Sequence, residues 1–283
     1  MKKTLMLAIA AGLALGAWAK SGMAEKIAAK CRVTGSGAWM GGERTIFELN
    51  GCETWVVEPE KPAAGNPWAW IMEWPGAFAD RTGTAELLKA GSRVVTFRPG
   101  FYKDGKFVSK PGNMNDQRLK ESREFQRFAV DVLGLAPKAN LIGMSWGGFY
   151  SVRYASTYPD CVAHVYLDAP LLDFSTLKGF STGGWNIPAT YKVDYRTYVG
   201  KDDPRQPVNR AEPIAKAGIP VLLLYGAKDD TVPPETNCEL FVRRFRAAGG
   251  KIEVQRREAY GHHPHGFDAG HEHEVVDFFD GKR

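Results

Sequence analysis

The 283-residue sequence has few cysteines, little net charge and no repeats. It has four cysteines, and none lies in a context typical of a catalytic cysteine. Its formal charge of +5 is a small excess of 37 basic over 32 acidic residues, too weak to indicate a nucleic-acid partner. It shows no internal repeat and no low-complexity tract. The composition, 44% hydrophobic and 24% charged, predicts one large globular domain and excludes a disordered chain.

The sequence also lacks an apolar run as long as the roughly 20 residues that a membrane-spanning helix needs. Its leading apolar run, residues 5–18, follows two lysines and ends in an Ala-Trp-Ala sequence that fits the cleavage pattern of secretory signals. We therefore predict a signal peptide over residues 1–19 and a mature chain, 20–283, that forms a single domain. The mature protein is expected in the periplasm or outside the cell, without stable membrane association.

Export would place the four cysteines in an oxidising compartment, where disulfides form. Cys31 and Cys52 flank a predicted N-terminal hairpin and are the favoured pair. Cys161 and Cys238 are left either as a second bridge or as separate buried thiols.

Two kinds of strand pattern follow one another along the mature chain. Short β-rich segments separated by Gly-rich turns come first, at residues 30–34, 44–49 and 54–58. Apolar strands then alternate with helical stretches, at residues 69–74, 93–97, 140–144, 162–167, 221–225 and 251–256. Helices are predicted over 116–133, 149–156 and 234–248. Apolar strands separated by helices predict an α/β fold, with a mostly parallel central sheet flanked by helices.

Two long insertions interrupt this alternation, at residues 100–115 and 171–216. Both contain several aromatic residues and glycines, and both follow the carboxyl end of a predicted strand. Open α/β sheets bind ligands at that edge. The second insertion, 171–216, is therefore predicted to form a short cap, and one or two of the aromatic rings are expected to line a substrate cleft.

The strongest chemical signal is the sequence Gly143-Met144-Ser145-Trp146-Gly147, between an apolar strand and a helical stretch. A serine on such a tight strand-to-helix turn needs small residues on both sides, because larger side chains would collide with the backbone. The helix that follows directs its N-terminus at the serine and favours negative charge there. The pattern predicts Ser145 as a nucleophile.

A serine nucleophile needs a base and an acid that orients the base, and in this architecture they follow in the order Ser, Asp, His. Asp229 and Asp230 follow the strand predicted at 221–225, and Asp229 is the favoured acid. Aspartate is also common in turns, so one of the two is expected to serve the turn itself. Asp168, at the end of the preceding strand, is a third candidate.

Three histidines, His262, His263 and His265, follow the last predicted strand. His262 is the favoured base because it stands at the head of the loop, whereas a proline restricts the backbone of His263 and His265 lies further along. A competing interpretation is a metal site that these histidines form with His271 and His273, since clustered histidines suit zinc. A complete serine site needs no metal, so neither a metal nor a cofactor is predicted.

Acyl transfer also needs two N–H groups aimed at the carbonyl oxygen as it becomes negative. One is predicted from Trp146, the residue after the nucleophile. The other is predicted from the loop after the strand at 69–74, where Ala77 is the favoured donor.

These features together resemble the α/β-hydrolase superfamily over roughly residues 68–283. They are the serine elbow, the sequence Gly-x-x-Asp-x-x-Val-Pro from Gly226 to Pro233, and the final Gly261-His262. More narrowly, Leu167-Asp168-Ala169-Pro170 and the histidine segment are similar to exported bacterial hydrolases described as esterase-like or prolyl-oligopeptidase-like. The resemblance implies ester hydrolysis through an acyl-enzyme.

The predicted function is hydrolysis of carboxylic esters, with a small-molecule or saccharide ester as substrate. Bulky Trp146 beside the nucleophile favours a short acyl group such as acetyl, and aromatic insertions suit stacking on sugar rings. A prolyl-oligopeptidase-like peptidase and a non-catalytic binding protein on the same fold are the alternatives. Pro75-Gly76 replaces the His-Gly usual in the superfamily, which leaves the shape of the acyl pocket open.

Overall fold

The structure is a computed structural model that describes residues 22–98, 100–103, 106–109, 116–173 and 206–283. The strands in these ranges are β1 (Arg32–Trp39), β2 (Gly42–Leu49), β3 (Cys52–Pro59), β4 (Trp68–Ile71), β5 (Arg93–Arg98), β6 (Gly100–Lys103), β7 (Lys106–Ser109), β8 (Ala139–Met144), β9 (Val162–Asp168), β10 (Val221–Gly226) and β11 (Ile252–Arg257). The α-helices are α1 (Gly22–Ala28), α2 (Thr84–Lys89), α3 (Asp116–Asp131), α4 (Trp146–Thr157), α5 (Ala211–Lys216), α6 (Cys238–Ala247) and α7 (Glu274–Phe279).

Nine of these strands form one sheet, in the order β1-β2-β3-β5-β4-β8-β9-β10-β11, while β6 and β7 pair with each other. From β5 to β11, neighbouring strands of this sheet run parallel. The pairs β1–β2, β2–β3 and β3–β5 are antiparallel. The predicted mostly parallel sheet is confirmed, and it carries an antiparallel part at its N-terminal edge.

Two tight turns build the antiparallel part. Met40-Gly41 joins β1 to β2 and Asn50-Gly51 joins β2 to β3, and all four residues have positive φ. Two consecutive positive φ angles are typical of the type I′ turn, whose twist matches that of the strands it connects. The local sequence therefore determines that these three strands form a meander.

Three of the parallel strands, β4, β8 and β10, are buried on both faces. Every residue of β4, β8 and β10 is buried. Because successive side chains alternate between faces, Trp68 and Trp70 of β4 lie in one apolar cluster and Ala69 and Ile71 in the other. Helices α3 and α4 contribute to the first cluster, and α2 and α7 to the second. The helices thus cover the sheet on both faces, as the apolar strands predict.

The predicted helix over 234–248 begins later than expected, at Cys238. Buried Asn237 explains the difference. Its Oδ1 accepts hydrogen bonds from the N–H groups of Leu172 and Asp173, at 2.8 and 2.7 Å, and its Nδ2 donates to the Pro233 carbonyl at 2.9 Å. These bonds hold the segment before α6 as a turn against the chain that follows β9.

The predicted Cys31–Cys52 disulfide is not formed, and all four cysteines are free thiols. Cys31 directly precedes β1 and Cys52 begins β3, so β2 lies between them. Neighbouring strands are about 4.8 Å apart, which puts alternate strands roughly 9–10 Å apart, whereas a disulfide requires Cα atoms within about 7 Å. The prediction was wrong because the hairpin that the two cysteines flank is followed at once by a third strand.

Several predicted segments lie outside the described residues. They are the signal peptide at 1–19, residues 174–205 of the predicted cap, and residues 104–105 and 110–115 of the first insertion. Among the described helices, none combines the length and the hydropathy that a membrane span requires.

Candidate active site

Ser145 lies on a tight turn between β8 and α4, with φ of 49° and ψ of −114°. Its N–H donates to the Asp168 carbonyl at 2.9 Å, which ties the turn to the end of the next strand. A Cβ on Gly143 would lie 2.5 Å from Ser151 Oγ and 2.7 Å from the Gly147 carbonyl oxygen. The turn therefore admits only glycine at position 143, for the steric reason that the sequence pattern suggests.

His262 lies in the loop after β11, and its side chain is 8% exposed. Its Nε2 is 3.1 Å from Ser145 Oγ. Gly226, at the end of β10, permits the loop to approach, because a Cβ there would lie 2.2 Å from the Gly261 carbonyl oxygen. The loop is fastened at the same place by a 2.8 Å hydrogen bond from the Lys228 N–H to the Tyr260 carbonyl.

Asp229 lies in the loop after β10, and both of its oxygens are used. Oδ2 is 2.7 Å from His262 Nδ1. Oδ1 accepts the N–H groups of Thr231 and Val232, at 3.0 and 2.8 Å. The same carboxylate therefore serves the turn and the histidine, while Asp230 is exposed.

The structure thus brings Ser145, His262 and Asp229 into one line of hydrogen bonds. A carboxylate only accepts, so the bond to Asp229 places the proton of neutral His262 on Nδ1. The lone pair of Nε2 then faces the hydroxyl of Ser145. This arrangement can remove the proton of Ser145 while the imidazole keeps its orientation.

Asp168, the third candidate acid, binds a different histidine. Its Oδ1 is 2.8 Å from His265 Nδ1, and its Oδ2 accepts the Tyr166 hydroxyl at 2.8 Å and the Gly266 N–H at 2.5 Å. Burial by itself raises the pKa of Asp168, but the bonds and the charge of His265, with the bonds from Gly266 and Tyr166, outweigh it and the net shift is downward. A second buried Asp–His pair therefore lies beside the first.

His263 is the exposed member of the histidine group. Its ring stacks on Phe78, with ring centroids 5.6 Å apart. Burial, and then repulsion by His265 and His262, lower the pKa of His263 below its ordinary value. His271 and His273 do not join this group: they lie 2.8 Å from Glu274 and 3.9 Å from Asp277.

The two predicted N–H donors differ in their surroundings. Trp146 begins α4, at the helix end where N–H groups point out of the helix toward the serine. The Ala77 N–H donates instead to the Trp74 carbonyl, at 2.9 Å, within a turn. It would have to leave or share that bond to bind an oxyanion. The role of Ala77 therefore stays a prediction, and the turn in the structure does not favour it.

A buried carboxyl group that the sequence analysis did not identify lies beside the serine turn. Glu73 is 2% exposed, and a Cβ on Gly147 would lie 3.5 Å from its Cβ. Its Oε2 has no hydrogen-bond partner among the described residues. Burial raises the pKa of Glu73 to about 7, against smaller opposing effects of the Trp74 N–H, Arg98 and Arg118. The sequence offered one signal for Glu73, since it is the single charged residue in the otherwise apolar segment 68–74.

Comparison with known proteins identifies the fold of the chain that carries this site. A family model described as "alpha/beta hydrolase fold" matches residues 85–196. No curated protein matches the sequence significantly. S-formylglutathione hydrolase from Agrobacterium tumefaciens is similar in structure, with a TM-score of 0.62 at 14% identity over 89% of this chain and 96% of that one.

Two further solved structures represent different activities on the same architecture. Acetyl xylan esterase 1 from Thermoanaerobacterium sp. JW/SL YS485 has a TM-score of 0.58 at 15% identity, over 88% of this chain and 87% of that one. Porphyromonas gingivalis dipeptidyl peptidase 4 has a TM-score of 0.60 at 14% identity, over 85% of this chain and 35% of that one. The predicted fold class is confirmed: the chain has the α/β-hydrolase fold.

Proposed function

We propose that this chain of α/β-hydrolase fold is a serine hydrolase that cleaves carboxylic esters through an acyl-enzyme. Ser145 is the nucleophile, His262 the general base and Asp229 the acid that orients His262. One observation carries the proposal: the continuous line of hydrogen bonds from Ser145 Oγ to His262 Nε2 at 3.1 Å and from His262 Nδ1 to Asp229 Oδ2 at 2.7 Å.

The reaction follows from this geometry in two halves. His262 Nε2 takes the proton of Ser145 as Oγ attacks the ester carbonyl, and Asp229 stabilises the imidazolium that forms. The imidazolium then gives its proton to the departing alkoxide, which leaves as the alcohol. Water then loses a proton to His262 as it attacks the acyl-enzyme carbonyl. The bond to Ser145 Oγ breaks, Oγ takes the proton back from the imidazolium, and the carboxylic acid is released.

Negative charge develops on the carbonyl oxygen in both halves, and the start of α4 is the part of the site suited to it. The N–H of Trp146 and the helix N-terminus favour charge at that point. The indole of Trp146 is 7% exposed and contacts Phe149 edge-on, with ring centroids 5.9 Å apart. A bulky side chain next to the nucleophile supports a short acyl group such as acetyl.

We extend the proposal to the class of substrate and its location. Small-molecule or saccharide esters are the proposed substrates, and the structural likeness to acetyl xylan esterase 1 supports an acetylated saccharide. The predicted signal peptide supports action in the periplasm or outside the cell. The structural likeness to dipeptidyl peptidase 4 keeps a peptidase as the second candidate.

The first experiment measures hydrolysis of p-nitrophenyl acetate, butyrate and octanoate by the chain starting at Lys20. Ser145→Ala is expected to lower kcat by up to roughly 10⁶, the loss seen when a comparable serine is removed. His262→Ala is expected to cause a loss of the same order, because serine and base act as one unit.

His263→Ala and His265→Ala are the matched comparisons, and the variant with the lowest kcat identifies the base. Activity on acetate above octanoate would support the short acyl group. A folded protein that is inactive on all three esters, or a Ser145→Ala variant as active as the parent, would overturn the proposal. Cleavage of proline-containing peptide anilides in place of esters would establish the peptidase.

A further inference from the structure

The three histidines of the site form a nearly equilateral triangle. Their ring centroids are 4.8 Å apart for His262 and His265, and 4.9 Å apart for the two pairs that include His263. One ligand nitrogen from each ring can be chosen so that all three lie within 4.8 Å of one another. The proposed ester hydrolysis uses only one of these rings, so the other two need a separate explanation.

Two buried carboxylates determine which nitrogens face the triangle. Asp229 holds Nδ1 of His262 at 2.7 Å and Asp168 holds Nδ1 of His265 at 2.8 Å. Both aspartate side chains are 1% exposed. The Nε2 atoms of the two rings are thereby left as the ligand atoms. Histidines that bind metal ions are typically oriented by a carboxylate on the second ring nitrogen, which also raises their basicity.

We propose that His262, His263 and His265 bind a divalent transition-metal ion such as Zn²⁺, and that the bound ion switches the hydrolase off. Neutral imidazole nitrogens are the ligands that zinc, copper and nickel ions favour. Two of the rings arrive already oriented, and His263 lies at the surface, where its side chain has room to adjust. The binding stands by itself, whereas the inhibition rests on the proposed function.

The bond lengths of a zinc site determine how far the three histidine nitrogens must approach one another. Zinc lies about 2.0–2.1 Å from histidine nitrogens in tetrahedral sites, which places the nitrogens roughly 3.4 Å from one another. The ligand nitrogens lie within 4.8 Å of one another, so they have to approach by up to about 1.4 Å. His263 can move at the surface, and His262 and His265 have to turn toward each other about their hydrogen bonds to Asp229 and Asp168. Ser145 Oγ is 3.1 Å from His262 Nε2, so an ion bound by that nitrogen would lie close to the nucleophile.

Metal binding and ester hydrolysis compete for one electron pair. The Nε2 lone pair that takes the proton of Ser145 is the same pair that His262 would give to the ion. With the pair given to the ion, Ser145 has no base. We therefore expect Zn²⁺ to abolish turnover at concentrations at which it binds, and a chelator to restore it.

The test measures Zn²⁺ binding by competition with a chromophoric chelator at a fixed pH near neutral, because histidine binds metal ions through the neutral imidazole and the affinity depends on pH. One ion per chain is expected. His263→Ala is expected to weaken binding about 10- to 100-fold, at least the loss that follows removal of a supporting partner of a metal ligand. His271→Ala, at an exposed histidine 2.8 Å from Glu274, is the matched control and is expected to bind like the parent.

Binding is measured also in Ser145→Ala, which separates this inference from the proposed function. Binding that persists in Ser145→Ala supports the metal site even where the esterase assay fails. No binding below millimolar Zn²⁺, or equal binding by the parent and His263→Ala, would overturn the metal site. Bound Zn²⁺ that leaves ester hydrolysis unchanged would overturn the inhibition alone.

Discussion

Asp168 ends β9 and Asp229 follows the neighbouring strand β10. Each carboxylate holds Nδ1 of a histidine at a similar distance, 2.8 and 2.7 Å. Their histidines differ in position. His262 Nε2 reaches Ser145 Oγ, whereas His265 packs edge-on against His262, with ring centroids 4.8 Å apart. At the scale of single residues, Asp229–His262 and Asp168–His265 have the same chemistry, a buried carboxylate that orients an imidazole. Only the contact with Ser145 distinguishes them.

Glu73 gives a residue-scale prediction of stability against pH. Burial raises its pKa in the folded protein to about 7, above the ordinary 4.5, so the folded state prefers the protonated acid. The free energy of unfolding should therefore fall as the pH rises from about 4.5 to about 7, by up to roughly 3 kcal/mol from this group. Glu73→Gln removes the titration and should stabilise the protein at pH 8 but not at pH 5.

Urea unfolding of both proteins at pH 5 and pH 8 measures this difference. Glu60→Gln, at an exposed position, controls for the loss of one carboxylate. A Glu73→Gln variant that is no more stable than the parent at pH 8 would show that the folded protein tolerates the charge at position 73.

At the scale of elements, two arginines hold the histidine loop between β11 and α7. Arg257 donates to the carbonyls of Gly266 and Pro264, at 2.8 and 3.0 Å, and its guanidinium lies 4.4 Å from the centre of the Tyr260 ring. Arg81 donates from Nε to the His265 carbonyl at 2.8 Å. The loop has no regular secondary structure, so these bonds position its histidines.

Arg257→Ala is therefore expected to lower both stability and activity, although Arg257 is not one of the proposed catalytic residues. Hydrogen bonds to charged groups contribute about 1.5–3 kcal/mol each. Loss of both bonds is therefore expected to lower the melting temperature by roughly 6–12 °C, at about 2 °C per kcal/mol for a domain of this size. Displacement of His262 by an ångström would lower kcat/KM about 100-fold. Thermal unfolding and ester hydrolysis measure the two effects.

Arg256→Ala is the matched control for this variant. The neighbouring arginine is 46% exposed and forms an ion pair with Glu258 on the surface, a type of contact that contributes little. Equal losses in the two variants would mean that Arg257 does not hold the loop.

At the scale of the whole molecule, the sheet assembles the site. Strands β8, β9, β10 and β11 are parallel neighbours, so their carboxyl ends lie along one edge of the sheet. Ser145, Asp168, Asp229 and His262 all come from those ends or the loops that follow them. Residues more than 100 positions apart in the chain meet because the sheet order brings their strands together.

Export is the prediction that concerns the whole chain. Expressed from Met1 in a bacterium, the protein is expected in the periplasm or the medium, with an N-terminus at Lys20. Ala19→Arg, which puts a large charged residue where the cleavage pattern requires a small one, should retain the leader. Intact mass and N-terminal sequencing measure both outcomes. A cytoplasmic protein that begins at Met1 would contradict the predicted signal.

The sequence alone was enough to place Ser145 at a strand-to-helix turn and to place candidate aspartates and histidines near the ends of later strands, because local patterns identify those strands. It left three aspartates and three histidines as candidates. It was enough also for the parallel sheet and for the glycines at the serine turn, since both depend on short-range periodicity and steric limits.

Only the tertiary structure decided which aspartate binds which histidine. Asp229 and His262 are 33 positions apart and Asp168 and His265 are 97 apart, and their partners depend on how loops from different strands pack. It decided likewise that β2 separates Cys31 from Cys52 and that Glu73 is buried beside the serine. Distances across a sheet, and the water that burial removes, arise from packing and are not encoded in the neighbouring residues of the chain.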